Sequence, residues 1–455
     1  MPIRSHIFDN GLTFVYQKST TQLSSINIFI KVGSADEPKT LFGGAHFIEH
    51  ALFKGTASLP TSSDITTIFD SHGSYINAFT SHEMTYLSVK THSDNTEVCL
   101  NTLFDIIQNS ILDPSELEKE KKIVIEEISR AHDNTGVYNY EKIYQLLYKN
   151  TVYSHPIGGT PEGIRKYNNN ELLSFYRAHY TPDNIVVSIC SNINYTDLTH
   201  FIRKSTLGKN TKRCARTDPT SFIVQTEGPY GGYFENRNLA QTHIACGFKV
   251  CGRNGSDIYA LAILKIILAG NMSSILFVKL REENGLTYNI SIDLDMFRDI
   301  GVFILSTSVE KKSVLSHGDQ KGALNIIMDT LVELYHAGIT DTQLTLAKGY
   351  LKGILTLSNE DSSNRSEHAG VGHLFKDKDK DIPLSKLYLK KYHSLTIQDI
   401  NQVLRKYFVH THFVSSYIGS DVISKREDII KCEKHLLNNT PLSKNIHTLF
   451  YKEST

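Results

Sequence analysis

Two histidines and a glutamate stand close together early in the chain, in the segment His46-Phe47-Ile48-Glu49-His50. On a helix, His46 and His50 are four residues apart, so both imidazoles project from the same face. Two imidazoles at this spacing can occupy two corners of a tetrahedral zinc site. Glu49 lies beside them, where its carboxylate would hold a water molecule rather than the metal. An ordinary helix with two surface histidines would show the same spacing, so this segment alone does not establish a metal site.

A zinc site needs a third protein ligand, and a second predicted helix offers candidates. Late in the helix that Asp113 is expected to begin, Glu127 is the better candidate and Glu126 its rival. Adjacent helix residues point about 100° apart, so only one of them should face the metal. Glu120 precedes Glu127 by two helical turns, lies on nearly the same face and could support the site from outside the ligand shell. The alternative is that these carboxylates only keep a helix soluble.

The elements that must position these residues occur in a similar order in both halves of the chain. The first half is predicted to contain a strand at 25–32, helices at 44–53 and 64–70, a strand pair at 75–90, and helices at 95–111 and 113–130. The second half is predicted to contain a strand at 243–250, a helix at 256–268, a strand pair at 286–308, and helices at 323–336 and from 340 onward. This repeat predicts an α+β fold with two homologous domains, each a mostly antiparallel sheet packed with helices.

Polar composition places the boundary between the two predicted domains. Residues 209–220 are polar, and they are preceded by Gly208 and contain Pro219 near their end. Such stretches are typical of linkers. We therefore expect an N-terminal zinc-binding domain at 1–208, a linker at 209–222 and a C-terminal domain at 223–455.

Composition excludes several classes of protein. The 455 residues include 48 basic and 48 acidic side chains, which argues against a nucleic-acid binder or polybasic membrane protein driven by bulk charge. No run of about 18 apolar residues predicts a membrane-spanning helix. The six scattered cysteines favour single thiols in a reducing compartment over a disulfide framework. The chain start shows no targeting segment, which favours the cytosol and leaves a mitochondrial or other organellar location open.

Three stretches of the sequence resemble one family of enzymes. HFIEHALFKGT at residues 46–56 resembles the signature of the pitrilysin (insulinase) zinc metallopeptidases, whose motif order is inverted relative to other zinc proteases. It is closest to the processing-peptidase subgroup. GSYINAFTSHEMTY at residues 73–86 is similar to the family's substrate-binding edge strand, and the stretch around Arg281 and Tyr288 is similar to its Arg and Tyr element. Glu127 follows His46 at a spacing similar to that of the family's third zinc ligand.

The resemblance implies a zinc-dependent endopeptidase and assigns roles to individual residues. Its substrate would be an unfolded peptide or presequence-like segment, bound as an added strand in a closed chamber. In two-domain relatives the Arg and Tyr element comes from a partner subunit, which implies a homodimer or a heterodimer with a related chain. The implied roles are zinc ligation by His46, His50 and Glu127, catalysis by Glu49, and substrate binding by Asn77, Ala78, Arg281 and Tyr288. Glu120 joins Glu49 in the catalytic group because of its helix spacing.

Two other functions remain open at the level of sequence. A non-hydrolytic scaffold or assembly subunit could share the fold, although such relatives have usually lost part of a zinc motif that is intact here. The other function is that of a dedicated enzyme that processes one partner polypeptide. It stays open because the substrate selectivity that separates it from a broad oligopeptidase lies in the shape and charge of the chamber. Without the resemblance, Arg281 and Tyr288 would be read as an ordinary surface arginine and strand tyrosine.

Overall fold

The computed structural model describes residues 1–214, 231–409 and 412–440. The chain divides into two compact units, and neither is continuous in sequence. The first unit consists of Met1–Arg130, Thr151–Phe222 and Ile354–Leu387. The second unit consists of Ala131–Asn150, Ile223–Gly353 and Tyr388–Thr455. Most of the predicted linker at 209–222 lies outside the described residues, and the predicted domain boundaries on either side of it stay a prediction.

The first unit is built on a six-stranded sheet. Its strands are β1 (Ile3–Ile7), β2 (Thr13–Lys18), β3 (Leu23–Ile30), β4 (Tyr75–Thr80), β5 (Thr85–His92) and β6 (Ile185–Ser191). They lie in the order β1-β2-β6-β3-β5-β4. The pairing of β2 with β6 is parallel, and the other pairings are antiparallel. β4 therefore forms one edge of the sheet, with β5 as its partner.

The second unit repeats this topology with five strands. They are β7 (Gly231–Asn236), β8 (Gln241–Cys251), β9 (Ile290–Met296), β10 (Ile300–Glu310) and β11 (Phe413–Gly419). Their order is β7-β11-β8-β10-β9, with β7 and β11 parallel and the other pairs antiparallel. This is the order of β2-β6-β3-β5-β4 in the first sheet. The prediction of two homologous α+β domains with mostly antiparallel sheets is confirmed.

Helices account for most of the remaining regular structure. Those before the second sheet are α1 (Gly44–Leu52), α2 (Ser62–Ser71), α3 (Thr96–Asn109), α4 (Pro114–Asp133), α5 (Thr135–Leu147), α6 (Pro161–Arg165), α7 (Asn169–His179), α8 (Tyr195–Lys204) and α9 (Thr206–Lys209). Those that follow are α10 (Ile258–Ala269), α11 (Ile275–Phe277), α12 (Ala323–Ala337), α13 (Asp341–Glu360), α14 (Ser362–Leu374), α15 (Leu384–Leu387), α16 (Ile397–Tyr407) and α17 (Arg426–Asn439). Within the described residues, no helix is long and apolar enough to cross a bilayer. All six cysteines are free thiols.

Each sheet is covered by one helix from the other half of the chain. α14 belongs to the first unit and packs on β2, β3 and β6, whereas α5 belongs to the second unit and packs on β8 and β11. The approach of α14 is close, because a Cβ atom on Gly370 would lie 2.2 Å from the ring of Phe29. The hydroxyl of Ser366 donates to the carbonyl of Ser188 at 2.8 Å in the same interface. Small side chains on α14 thus allow its backbone to lie against the first sheet.

The bounds of the predicted elements agree closely with the structure at helices and less closely at strands. α4 begins at Pro114 as predicted, and the Asp113 carboxylate accepts hydrogen bonds from the first backbone N–H groups of the helix. The strand pair predicted from residue 286 begins only at Ile290. The reason is a turn in which Leu286 N donates to the carbonyl of Leu280, with Gly285 at a φ of +58°.

Candidate metal centre

The helix that carries both histidines begins at a buried carboxylate. Glu37 accepts hydrogen bonds from Gly43 N and Ala45 N, each at 2.7 Å, and so binds the N-terminus of α1. Gly43 has a φ of +94°, and a Cβ atom there would lie 2.7 Å from the carbonyl of Gly158. Burial raises the pKa of Glu37 well above its ordinary value, although the two N–H donors act in the opposite direction. Sequence reasoning missed Glu37 because its contacts depend on the path of the intervening loop.

The structure brings the three candidate metal ligands together. The rings of His46 and His50 project from one face of α1, with centroids 4.7 Å apart. From α4, the Glu127 carboxylate reaches both rings, with Oε1 3.9 Å from His46 Nε2 and Oε2 3.3 Å from His50 Nε2. One ligand atom from each residue lies within 4.8 Å of the others, and no other such group of His, Cys, Asp or Glu occurs in the described ranges. The rival Glu126 is exposed.

The geometry of these donors fits zinc. Zinc bonds imidazole nitrogen and carboxylate oxygen at about 2.0–2.2 Å, so tetrahedral ligand atoms lie about 3.4 Å apart. The separations between Glu127 and the two imidazoles are close to this value. Burial and the neighbouring His50 lower the pKa of His46 to about 4, although Glu127 acts in the opposite direction. The His46 ring is therefore neutral near pH 7, which is the form that binds a metal.

A buried glutamate, which is itself paired with a lysine, supports the Nδ1 side of the His50 ring. The Nδ1 atom of His50 donates to Glu120 Oε1 at 2.8 Å, which directs Nε2 toward Glu127. Lys54 Nζ lies 2.5 Å from the other Glu120 oxygen. Burial favours a raised pKa for Glu120, but the hydrogen bonds from His50 and Lys54 outweigh it and lower the pKa. Sequence spacing predicted this place for Glu120, whereas the part played by Lys54 was missed.

Glu49 lies on α1 beside this group and is held by a residue of the sheet. The Thr80 hydroxyl donates to Glu49 Oε2 at 2.5 Å. Burial raises the pKa of Glu49, while the hydrogen bond from Thr80 and the charge of His50 act to lower it. Thr80 is the last residue of β4. Sequence reasoning missed it, because its contact joins two elements whose relative placement no spacing rule gives.

The residues assigned to substrate binding near the metal group lie on the sheet edge. Asn77 is exposed and Ala78 is half-buried, both on β4. In the antiparallel pairing with β5, Asn77 lies opposite Ser88 and Ala78 opposite Leu87. β4 packs against α1, which carries both histidines. The backbone of an edge strand can pair with an extended peptide, so the position suits the predicted role.

Arg281 and Tyr288 lie together in the second unit. Arg281 Nη1 donates to the carbonyl of Tyr288 at 3.2 Å. The guanidinium lies 4.7 Å from the centre of the Tyr288 ring and 4.9 Å from that of Phe277. Tyr288 is 80% exposed. The contacts connect these residues with each other, and their binding of substrate stays a prediction.

Comparison with known proteins identifies the family. Residues 13–161 match the family described as insulinase (peptidase family M16), and residues 166–351 match the one described as peptidase M16 inactive domain. A Rickettsia felis protein named "uncharacterized zinc protease" is 31% identical over 369 residues, which cover 80% of this chain and 85% of that protein. The chain belongs to peptidase family M16. The predicted membership is thereby confirmed.

Other similar proteins agree with this chain in extent and in fold. The Bacillus subtilis protein named "uncharacterized zinc protease YmxG" is 29% identical over 415 residues, covering 90% of this chain and 97% of that protein. A solved protease from Helicobacter pylori superposes with a TM-score of 0.83 at 22% identity, covering 92% of this chain and all of the other. A putative M16-like peptidase from Alicyclobacillus acidocaldarius gives a TM-score of 0.80 at 19% identity, covering 92% of this chain and 98% of the other. Together with the His–His–Glu group, the names of the relatives indicate zinc as the cofactor of this M16 chain.

Proposed function

We propose that this M16 chain is a zinc-dependent endopeptidase that hydrolyses unfolded peptides. The observation that carries the proposal is the group formed by His46, His50 and Glu127, with the Glu49 carboxylate beside it on the same helix. Two imidazoles, one carboxylate and a separate carboxylate base make up the set of groups that zinc peptidases use. Relatives named as zinc proteases support the same class of reaction.

The chain's own residues account for ligation and proton transfer. His46, His50 and Glu127 would hold the zinc ion, which when bound polarises a water molecule and lowers its pKa. Glu49 takes a proton from the water that attacks the peptide carbonyl, and it later gives that proton to the leaving amine. Since Thr80 binds Oε2, the Oε1 atom is the one that accepts the proton. Glu120 holds the His50 ring in the orientation that ligation requires.

The substrate proposed for this site is an extended, unfolded segment. A peptide that pairs with the edge strand β4 must be extended, which folded proteins rarely offer. Asn77 and Ala78 would then bind its backbone, and Arg281 and Tyr288 would hold its carbonyl groups. We also propose that the substrate can be a presequence-like segment and that it is bound in a closed chamber. The chain would form a homodimer or a heterodimer with a related chain. These finer statements rest on the family resemblance.

A non-hydrolytic scaffold subunit of the same fold is the second candidate. It is favoured by one observation, the match of residues 166–351 to the family described as an inactive domain. That description concerns the second half of the chain, where the described residues contain no group suited to a metal. The first half retains the three candidate zinc ligands and the candidate base Glu49. We therefore favour the peptidase.

Cleavage of a quenched random-peptide pool tests the proposal, with zinc measured on each sample. Wild type should cleave, and Glu49→Gln should lose about 10²–10⁴-fold in activity because the amide cannot accept a proton. Both should hold about one zinc ion per chain. His50→Ala should lose both zinc and cleavage.

The other outcomes separate the parts of the proposal. Wild type that holds zinc and cleaves nothing in the pool would support the scaffold. Full activity in Glu49→Gln would show that Glu49 is not the base. Wild type without zinc would contradict the metal centre itself.

A further inference from the structure

The hydroxyl of Thr80 joins the last residue of the edge strand to the carboxylate of Glu49. The distance from Thr80 Oγ1 to Glu49 Oε2 is 2.5 Å, and the two residues are only 4% and 8% exposed. We propose that Thr80 is a positioning residue, which fixes the orientation of the Glu49 carboxylate. This inference rests on the proposed function, in which Glu49 is the general base.

The chemistry of this contact suits positioning. A hydroxyl that donates to an ionised carboxylate forms a short hydrogen bond, roughly twice as strong as one between neutral groups. A glutamate side chain otherwise rotates about its terminal bond through a broad range of angles. With Oε2 bound by Thr80, the carboxylate plane is set and Oε1 remains the oxygen that receives a proton. Since proton transfer requires hydrogen-bond distance to the water, a fixed orientation raises the rate of the chemical step.

The turn that follows Thr80 is itself fixed by residues 33–37. Ser34 N donates to the carbonyl of Ser81 at 3.1 Å, and Ala35 N donates to the carbonyl of His82 at 2.8 Å. Ser34 Oγ and His82 Nδ1 share a further hydrogen bond of 2.8 Å. The two segments are so close that a Cβ atom on Gly33 would lie 2.3 Å from the Ser81 carbonyl oxygen. The end of β4 therefore has little freedom to move.

The same residues 33–37 also hold the helix that carries Glu49. Glu37, at the end of this segment, binds the first N–H groups of α1. One short segment thus contacts both the strand end that bears the hydroxyl and the helix start that leads to the carboxylate. Since β4 is also the strand on which a peptide would pair, the backbone that receives the substrate continues directly into the residue that orients the base.

Two substitutions at Thr80 and one at a matched threonine test the inference. Thr80→Val keeps the shape and removes the donor, whereas Thr80→Ser keeps the donor. Thr85→Val is the control, because Thr85 is also buried, lies opposite Thr80 on β5, and donates to the carbonyl of Val32 rather than to Glu49. We expect kcat to fall about 10–100-fold in Thr80→Val, with KM within about threefold of wild type. Thr80→Ser and Thr85→Val should keep kcat within about threefold.

Two measurements without turnover distinguish positioning from a general structural effect. Zinc content should be equal in wild type and Thr80→Val. Peptide affinity, measured in the inactive Glu49→Gln background, should not change when Thr80→Val is added, because the hydroxyl is proposed to act only on Glu49. A loss of zinc or of peptide affinity that matches the loss of activity would overturn the positioning role.

The kinetic outcomes are also decisive. Wild-type kcat in Thr80→Val, or an equal loss in Thr80→Val and Thr85→Val, would overturn the inference. If wild type cleaves and Glu49→Gln does not, such a result counts against Thr80 alone. If wild type cleaves nothing, or Glu49→Gln stays fully active, the proposed function fails and takes this inference with it.

Discussion

At the scale of single residues, the candidate metal centre depends on side chains that would not touch the metal. Glu120 is only 3% exposed at its side chain, and its two oxygens are divided between His50 and Lys54. The hydrogen bond to Nδ1 of His50 fixes the ring so that Nε2 faces Glu127. Such supporting carboxylates orient the ligand and raise its basicity. Glu120 is thus expected to act on zinc affinity more than on any later step.

Replacement of Glu120 by glutamine tests this expectation. The amide can still accept the hydrogen bond from His50, but it lacks the charge that pairs with Lys54. We expect Glu120→Gln to bind zinc about 10–100-fold more weakly than wild type, measured by competition with a chromogenic chelator. Glu126→Gln is the control, since that carboxylate is exposed on the same helix. Equal affinities in Glu120→Gln and wild type, or a larger loss in Glu126→Gln, would contradict the assignment.

Sequence predicted some residues of the candidate site and missed others for a physical reason. The spacing of His46 and His50 predicts a shared face because the period of an α-helix is fixed. The same rule placed Glu120 and Glu127 on one face of α4. Thr80, Lys54 and Glu37 were missed, because each acts on a partner whose position depends on tertiary packing or on a loop path. Periodicity along one element carries no information of that kind.

At the scale of elements, the turn between β4 and β5 is held by a histidine buried in its neutral form. His82 bonds Ser34 and packs edge-on against the ring of Tyr153. Burial lowers the pKa of His82 to about 4, compared with about 6.5 in an unfolded chain. Element type was predictable from sequence here, since residues 75–90 were predicted as a strand pair. The contacts of His82 with Ser34 and Tyr153 were not predictable, because both partners are distant from it in the sequence.

The depressed pKa of His82 predicts a loss of stability in mild acid. As pH falls from about 6.5 to about 4, the unfolded chain binds a proton that the folded chain does not, so the free energy of unfolding decreases by up to about 3 kcal/mol. The His82→Asn variant should lose this part of the pH dependence. Urea midpoints followed by circular dichroism at pH 7.0, 6.0 and 5.0, with chelator present, measure the effect.

The exposed His92 supplies a control for the loss of an imidazole, through His92→Asn. His82→Asn should reduce the slope of stability against pH more than this variant does. A His82→Asn slope that equals the wild-type slope would show that His82 does not carry the effect.

At the scale of the whole molecule, the two halves of the chain exchange helices. The face of the first sheet that carries Val15, Phe29 and Val186 is closed by Ala369 and Leu374 from α14. The internal repeat was visible in the sequence as a recurring order of elements. The exchange of helices was not visible in the sequence. Strand and helix periodicity show that an apolar face exists, but they do not show which helix covers it.

A fragment experiment tests whether α14 completes the first unit. Residues 1–214 alone should bind a hydrophobic dye and unfold at a lower temperature than after addition of a peptide of residues 354–387. The same peptide with Gly370→Leu is the matched control, since its side chain would meet Phe29 and Ser188. It should fail to restore stability. A fragment that is stable alone and does not respond to either peptide would contradict this view of α14.

The position of α14 in the chain has a consequence for synthesis on the ribosome. The last strand of the first sheet, β6, ends at Ser191, but α14 ends only at Leu374. At a synthesis rate of about 5–20 residues per second, roughly 10–40 s pass between the synthesis of β6 and that of the helix that covers the sheet. During that interval its apolar face is open to the surroundings. The folding of this protein should therefore depend more on a chaperone that binds nascent chains at the ribosome than the folding of a protein whose first domain is complete when it leaves the exit tunnel.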